Sequence, residues 1–265
     1  MNRIDRIFAA LRADGGRALM PFVTAGDPDL ETTAAILPAL QRAGAHVCEL
    51  GIAYSDPIAD GPVIQASMAR ALDRHVRPSE VFDMVEHLRA DLDLGLVAMV
   101  SYSIIMRIGA ESYVARAAQA GFDGLIVPDL PLEQADAVCE AAGAAGLVCS
   151  LLVAPTTPDE RVERIARRCS GFVYVLGHAG LTGERTRLSA DLRPRIEQVR
   201  NVTDLPIAVG FGVSGPDQVK QVVEVADAAI VGSAIVRRIE EHRDSGPGRV
   251  VEEVERFVGT LAAGL

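Results

Sequence analysis

The chain has 265 residues, of which 49% are apolar, and a formal net charge of −10. The acidic balance argues against nucleic acid as the main partner, because the sequence has no stripe of lysine and arginine with interleaved aromatic residues. No apolar run approaches the roughly 18 residues that cross a bilayer, and the amphipathic pattern of residues 1–16 lacks the apolar centre of a signal peptide. We therefore expect a cytoplasmic protein with one large core.

Short, continuously apolar segments alternate along the chain with helical patterns, including an additional helix from about Pro78 to Ala90. Continuous apolarity is typical of strands covered on both faces, and hence of a parallel sheet. Eight such strands suit a closed (β/α)8 TIM barrel, typically about 250 residues, better than the alternative of an open doubly wound sheet. No linker interrupts the pattern, so we assign residues 1–265 to a single barrel domain with extra N-terminal and loop helices. The strand candidates are residues 18–26, 46–52, 95–102, 124–129, 147–155, 171–180, 205–213 and 228–236.

The second strand candidate contains a glutamate, Glu49, among apolar residues, and it leads into a loop with Asp56 and Asp60. No arginine or lysine lies at the inner ends of the neighbouring strand candidates to pair with Glu49. Burial without such a partner raises the pKa of a carboxyl group and suits it to acid/base chemistry near neutrality. The alternatives are a buried ion pair for Glu49 and a plain loop role for Asp60. Asp56, in a Ser-Asp-Pro sequence, is interpreted as a turn residue.

Glycines cluster after the sixth, seventh and eighth strand candidates, and they include Gly183, Gly212 and Gly232. The site of a barrel lies at the carboxyl ends of its strands, where backbone N–H groups of these loops hold phosphate in many barrel enzymes. Tight turns alone are the alternative explanation. The coincidence of glycines on adjacent strands favours a phosphate site, with Ser233 as a hydroxyl donor.

Three further polar residues, Tyr102, Asp129 and Tyr174, fall near the ends of strand candidates. Tyr174 is equally compatible with core packing and with a hydroxyl that faces a ligand. A metal site is not expected, because the five histidines show no ligand spacing. No lysine lies at a strand end, which excludes Schiff-base aldolase chemistry. The four cysteines lack a CxxC spacing and are interpreted as buried, reduced thiols.

Several motifs together resemble the tryptophan synthase α subunit family over nearly the whole chain. The segment that begins at Glu49 is the most specific of them, far more so than the glycines. The motifs are PFVTAGDP at 21–28, ELGI..SDPIADGP.IQ at 49–65, PDLP at 128–131, AGLTG at 179–183, GFGVS at 210–214 and GSAIV at 232–236.

The resemblance implies cleavage of indole-3-glycerol phosphate to indole and glyceraldehyde 3-phosphate, a retro-aldol reaction without metal or cofactor. It implies that Glu49 moves protons between C3 of the substrate and its glycerol hydroxyl, that Asp60 polarises the indole N–H, and that Tyr174 packs at the reacting face. It also implies an apolar slot for the ring and a cradle for the phosphate. The slot residues are Phe22, Val100, Ile126 and Phe211, the cradle residues are Thr182, Gly183, Gly212, Gly232 and Ser233, and Tyr102 and Asp129 are further candidate substrate-binding residues.

The chain departs from the family pattern at three places. Ala53-Tyr54 replaces the usual proline and phenylalanine in a loop that touches the β subunit of an αββα complex. Gly177-His178 stands where Ser-Arg is usual before the lid loop, and Ser103-Ile104 replaces a polar pattern after Tyr102. These departures suggest a divergent member.

Three functional hypotheses follow. The first is an α subunit that works with a β partner, the second a stand-alone lyase that releases indole, and the third a catalytically weak barrel that activates a β-type partner. Retention of both Glu49 and Asp60 argues against the third. Other phosphate-sugar barrels, such as synthases or metal epimerases, need a strand lysine or a histidine set that the chain lacks.

Overall fold

The computed structural model describes residues 1–58, 60–177, 192–210 and 212–265. Nine strands and twelve α-helices alternate within these residues. The strands are β1 (Ala18–Thr24), β2 (Val47–Gly51), β3 (Gly95–Met99), β4 (Gly124–Ile126), β5 (Val148–Ser150), β6 (Leu152–Val153), β7 (Val173–Leu176), β8 (Ile207–Gly210) and β9 (Ala228–Val231).

All pairings between these strands are parallel, and the order across the sheet is β5-β4-β3-β2-β1-β9-β8-β7-β6. The two ends of this order are one stretch of chain, because only Leu151 separates β5 from β6. The sheet therefore closes on itself, and the predicted (β/α)8 barrel is confirmed.

The predicted fifth strand is interrupted at Leu151. Its N–H donates to the sulfur of Cys169 at 3.3 Å, and its carbonyl accepts the N–H of Tyr174 at 3.3 Å. Because a side chain takes the N–H of Leu151, the regular ladder is broken at this residue. The eight predicted strands are thus nine segments, and the sixth, seventh and eighth candidates contain β7, β8 and β9.

Helices surround the strands, and local signals set where several of them begin. The side chain of Asn2 accepts the N–H of Ile4, and that of Asp29 accepts the N–H of Thr32. None of the helices in the described ranges has both the length and the apolar character that a membrane span needs. The helices are α1 (Arg3–Ala13), α2 (Leu30–Arg42), α3 (Pro62–Asp73), α4 (Pro78–Leu88), α5 (Tyr102–Ile108), α6 (Ala110–Ala120), α7 (Ala135–Ala144), α8 (Asp159–Arg168), α9 (Leu192–Arg200), α10 (Pro216–Val223), α11 (Ser233–His242) and α12 (Pro247–Ala262).

Alternate strand residues divide the core into an inner and an outer part. The larger, outer part lies between strands and helices, which explains why every residue of β1 is buried. The inner part fills the barrel, and α1 closes its amino end by inserting Ile4 and Phe8 beside Phe172. The opposite, carboxyl end is therefore the end available for a site. The inner strand residues include Ala18, Met20, Val47, Val97, Ile126, Val148, Tyr174, Ala208, Ala228 and Ile230.

Several predicted strand boundaries differ from the structure, and the start of a helix explains two of them. The third strand ends at Met99 rather than at Tyr102, because the Ser101 side chain accepts the N–H of Ser103 and starts α5. The eighth strand ends at Val231, since Ser233 already begins α11.

Candidate active site

Glu49 lies in the barrel interior, in the middle of β2. It is level with Phe22 on β1 and Val97 on β3. Its side chain is fully buried, and neither carboxylate oxygen has a hydrogen-bond partner in the described residues. The ion pair considered as a structural alternative is therefore not found among them, and the group is left free to meet a ligand.

The loop after β2 brings Asp60 to the same end of the barrel. The side-chain amide of Gln65, on the first turns of α3, donates to the carbonyls of Pro57 at 3.2 Å and Asp60 at 2.7 Å. This amide fixes the backbone of the acidic loop. Asp56, by contrast, is exposed and accepts a hydrogen bond from the Ser55 hydroxyl at 2.5 Å, as suits a turn residue.

The two carboxyl groups differ in their affinity for protons. Burial raises the pKa of Glu49 well above its usual range, and the nearby charge of Asp60 raises it further. Burial raises the pKa of Asp60 to about 6. Burial thus favours the protonated form of Glu49, whereas a pKa of about 6 leaves Asp60 largely ionised near neutral pH, so one group can give a proton and the other can accept a hydrogen bond.

Tyr174 on β7 faces the same interior space. Burial raises the pKa of its hydroxyl, and the charges of Glu49 and Asp60 add to this effect, which places the tyrosine within electrostatic range of both. Gly210 on β8 leaves room for the ring, because a Cβ atom at this position would lie 2.2 Å from the tyrosine oxygen. Tyr174 is thus both a packed residue and a wall of the space around Glu49.

An apolar cluster adjoins Glu49 on the other side. Phe22, Ile64, Met68 and Val236 form it, and parts of the loop after β2 pack against it. The ring of Phe22 fits because Gly51 has no side chain: a Cβ atom there would lie 2.7 Å from the ring. This cluster provides an apolar wall at the carboxyl end of the barrel.

The other predicted slot residues are placed differently. Ile126 lies in the barrel interior, in the same cluster as Val97 and Tyr174. Val100 belongs to the outer core, whereas its neighbour Met99 packs against both inner clusters. Met99 therefore takes the inner position that was predicted for Val100, because adjacent strand residues point to opposite faces. Phe211 lies outside the described residues.

Asp129 holds the start of α5 in place. Its carboxylate accepts hydrogen bonds from the Ser101 hydroxyl and from the N–H of Tyr102, both at 2.7 Å. The departure Ser103-Ile104 falls here: the Ser103 hydroxyl bonds that of Ser101 at 2.7 Å, and Ile104 packs against the outer core. Asp129 and Tyr102 are therefore brought together at the carboxyl end of the barrel.

Tyr54 is a site residue that the sequence did not single out as functional. It packs against the apolar cluster of Phe22, and burial raises the pKa of its hydroxyl, followed by the charges of Asp60 and Asp129. Its hydroxyl therefore lies within electrostatic range of both acids. The departure from the family pattern at Ala53-Tyr54 is the sequence signal that points to this residue.

The predicted phosphate cradle lies at the start of α11. Gly232 precedes this helix, and Ser233 is its first residue. The first N–H groups of a helix lack intrahelical partners and favour an anion. Gly212 has a φ of 86°, a backbone conformation that glycine adopts readily. Thr182 and Gly183 fall in 178–191, outside the described residues.

Two contacts fasten α3, and with it the acidic loop, to the barrel. The hydroxyls of Thr24 and Ser67 are hydrogen-bonded at 2.6 Å. Arg70 pairs with the buried Asp27 and also donates to Glu240 on α11 at 3.0 Å. Among the described residues, no group of three or more His, Cys, Asp or Glu side chains could hold a metal ion.

A buried, unpaired glutamate beside a second acid, at the glycine-rich mouth of a barrel, is the pattern expected from the sequence motifs. A family model described as "Tryptophan synthase alpha chain" matches residues 8–265. The chain belongs to this family.

Individual relatives agree with this assignment. The tryptophan synthase alpha chain of Gloeobacter violaceus is 49% identical over 237 residues, which cover 89% of this chain and 86% of the relative. The crystal structure of tryptophan synthase subunit alpha from Legionella pneumophila has a TM-score of 0.90 at 34% identity and covers 100% of this chain and 98% of its own. A structure of Mycobacterium tuberculosis tryptophan synthase has a TM-score of 0.90 at 33% identity, with coverages of 99% and 98%.

These findings confirm the family recognised from the sequence and its assignment as a lyase of tryptophan biosynthesis. The individual roles of Glu49, Asp60 and Tyr174, and of the slot and cradle residues, stay predictions.

Proposed function

We propose that this tryptophan synthase α chain cleaves indole-3-glycerol phosphate through Glu49 and Asp60. The single observation that carries the assignment of roles is the state of Glu49, which is fully buried with both oxygens unpaired. Such a group costs stability, and functional sites are where proteins accept that cost.

The reaction begins with the proton of Glu49. The carboxylate of Asp60 accepts the indole N–H and stabilises the positive charge that develops on the ring as Glu49 protonates C3. The Glu49 carboxylate then takes the proton of the glycerol hydroxyl next to C3. The bond between C3 and the glycerol carbon breaks, its electron pair returns to the ring, and indole and an aldehyde form with Glu49 again protonated.

The two pKa values support this division of labour. The raised pKa of Glu49 favours its protonated form, and the pKa of about 6 at Asp60 leaves that group largely ionised near neutrality. Tyr174 and Phe22 flank Glu49 in the barrel interior and would hold the ring against it. The start of α11 at Ser233 would bind the phosphate with Gly212 and Gly232, away from the reacting carbon.

We further infer that a tryptophan synthase β subunit docks on this end of the barrel. Three large apolar side chains are exposed there: Ile58 (82%) in the loop after β2, and Met106 (61%) and Ile108 (45%) on α5. The loop and helix follow the adjacent strands β2 and β3, so they lie on the same side of the mouth. Ala53, in place of the usual proline, packs against the Phe22 cluster rather than extending this surface.

We also propose that residues 1–265 form a single barrel domain that acts in the cytoplasm. The proposed small-molecule partner is indole-3-glycerol phosphate, and neither nucleic acid nor a membrane is proposed as a partner.

The deciding experiment measures indole release from indole-3-glycerol phosphate by the purified chain, alone and with the β subunit of a family member. Glu49→Gln should lower kcat by at least about 100-fold, the usual scale for loss of a general acid/base. Asp56→Asn, an exposed acid of the same loop, is the matched control and should retain activity without the β subunit. Equal activity of Glu49→Gln and the unmodified chain would overturn the proposed roles.

The partner is tested by the same assay. Met106→Asp should weaken the rate increase on adding the β subunit, while its rate alone stays unchanged. Leu265→Asp changes another exposed apolar residue, at the end of the chain, and should leave the increase intact. Fast release that no β subunit accelerates would instead favour a stand-alone lyase.

A further inference from the structure

Three of the four cysteines converge beside the interrupted fifth strand. Cys139 lies on α7, Cys149 on β5, and Cys169 directly follows α8. The sulfur atoms of Cys139 and Cys149 are 3.1 Å apart. Cys48 lies on β2, where it is fully buried. Neither the acid/base chemistry nor the phosphate cradle uses any of these thiols.

We propose that Cys139 and Cys149 form an oxidisable dithiol that a hydroperoxide converts into a disulfide. A disulfide bond is about 2.05 Å long, so the two sulfurs need to approach by only about 1 Å. The connection between the helix and the strand is short, which keeps the two residues together.

The two thiols differ in a way that assigns their roles. Cys139 is partly exposed, and its contact with Cys149 lowers the pKa of its thiol. Cys149 is buried, and its contact with Cys139, together with burial, raises the pKa of its thiol. Because Cys139 is the more accessible of the two, its sulfur is the one that a peroxide meets first.

The chemistry balances in two steps. The Cys139 thiolate attacks the hydroperoxide, which breaks its O–O bond, becomes an alcohol or water after taking up a proton, and leaves a sulfenic acid on Cys139. The sulfur of Cys149 then displaces the hydroxyl group, which leaves with the thiol proton as water. Overall, two thiols lose two hydrogens, and the hydroperoxide is the oxidant.

Cys169 is held out of this exchange. Its sulfur accepts the N–H of Leu151 at 3.3 Å, and burial raises the pKa of its thiol to about 12. The sulfur of Cys169 is thus engaged with the backbone, whereas that of Cys149 lies 3.1 Å from the sulfur of Cys139. Cys169 and Cys48 therefore serve as internal controls.

The test exposes the full chain to hydrogen peroxide, blocks remaining thiols under denaturing conditions, and measures intact mass. The unmodified chain should lose two hydrogens, retain two blockable thiols, and recover all four after reduction. Peptide mapping should show Cys139 linked to Cys149.

Four variants complete the test. Cys139→Ser and Cys149→Ala should abolish the loss of two hydrogens, whereas Cys48→Ala and Cys169→Ala should retain it. The proposal is overturned if peroxide only adds oxygen atoms, if the linked pair includes Cys169, or if Cys139→Ser still forms an internal disulfide. Because the readout is mass and not activity, it is independent of whether a substituted chain retains its lyase reaction. Circular dichroism of each variant before oxidation shows that it is folded.

Discussion

The guanidinium group of Arg70 donates one hydrogen bond to each carboxylate oxygen of Asp27, both at 2.8 Å. Asp27 is almost fully buried, at 1% exposure, in the loop after β1. Arg70 lies on α3, the helix that follows the acidic loop, and it also donates to Glu240 on α11, the helix of the phosphate cradle. One side chain therefore joins the elements that carry the two ends of the proposed substrate site.

Loss of the two hydrogen bonds between Arg70 and Asp27 should destabilise the fold. Arg70→Ala leaves the buried carboxylate of Asp27 without its partner and should lower the free energy of unfolding by about 3 kcal/mol, as for other broken buried pairs. Arg70→Lys keeps the charge but not the planar fork and should cost less. Urea unfolding measures both. Arg42→Ala, which removes an exposed pair with Glu255, is the control and should change little; an equal loss in Arg42→Ala and Arg70→Ala would contradict the prediction.

Gln65 should act on the reaction through the backbone of the acidic loop. Gln65→Met keeps the length of the side chain but removes the donor to the carbonyls of Pro57 and Asp60. We expect kcat to fall by about 10- to 100-fold, because small misplacements of a reacting group have effects of this size. The measurement is steady-state indole release together with urea unfolding.

Gln41 offers a matched control for that variant. Its side-chain oxygen accepts the N–H groups of Asp93 and Leu94, just before β3, at the amino end of the barrel. Gln41→Met should lower stability without a comparable fall in kcat. If both variants lose activity only in proportion to stability, Gln65 has no positioning role.

The pH dependence of the reaction should report Asp60. This carboxyl group must be ionised to accept the indole N–H, and its pKa is raised to about 6 by burial. The rate should therefore rise with pH up to about 6 and level off above it, rather than level off near pH 4 as for an ordinary aspartate. A profile of kcat/KM from pH 4.5 to 9 checks this. A plateau that already extends below pH 5 would show that Asp60 is not the titrating group.

The buried carboxyl group of Glu49 should also affect how stability depends on pH. Its pKa is higher in the folded protein than in the unfolded chain, so the folded state binds more protons. Stability is then fully present below the unfolded pKa, near 4.3, and is lost as pH rises towards the folded pKa. Glu49→Gln removes this loss and should gain on the unmodified chain in urea unfolding as pH rises from 5 to 8. A difference between the two proteins that is constant with pH would contradict this expectation.

Some features of the site could be predicted because the local sequence already contains their cause. Glu49 is an acid inside an apolar strand, and that conflict alone marks it for attention. Glycines at successive strand ends similarly indicate where a phosphate could bind. These are properties of one segment or of a regular repeat, so the periodicity of strands and helices is enough to place them.

Other features depend on contacts between distant segments. Arg70 and Asp27 are separated by 43 positions, and neither is unusual in its own segment. Helix α5 begins because Asp129, from a different loop, accepts the N–H of Tyr102, which the apolar pattern of residues 95–102 does not reveal. Met99, rather than the predicted Val100, lies at the inner face. Adjacent strand residues point to opposite faces, and a run without polar residues does not show which of them points inward.

The packing of α1 against the amino end of the barrel determines where small molecules can enter and leave. Ile4 and Phe8 fill the amino end of the barrel against Phe172, and Met20 and Val47 continue this packed layer towards Glu49. Substrate and both products would therefore pass through the same opening, at the carboxyl end of the barrel. A subunit bound over that opening, beside Ile58 and Met106, would lie in the path of every indole molecule that leaves.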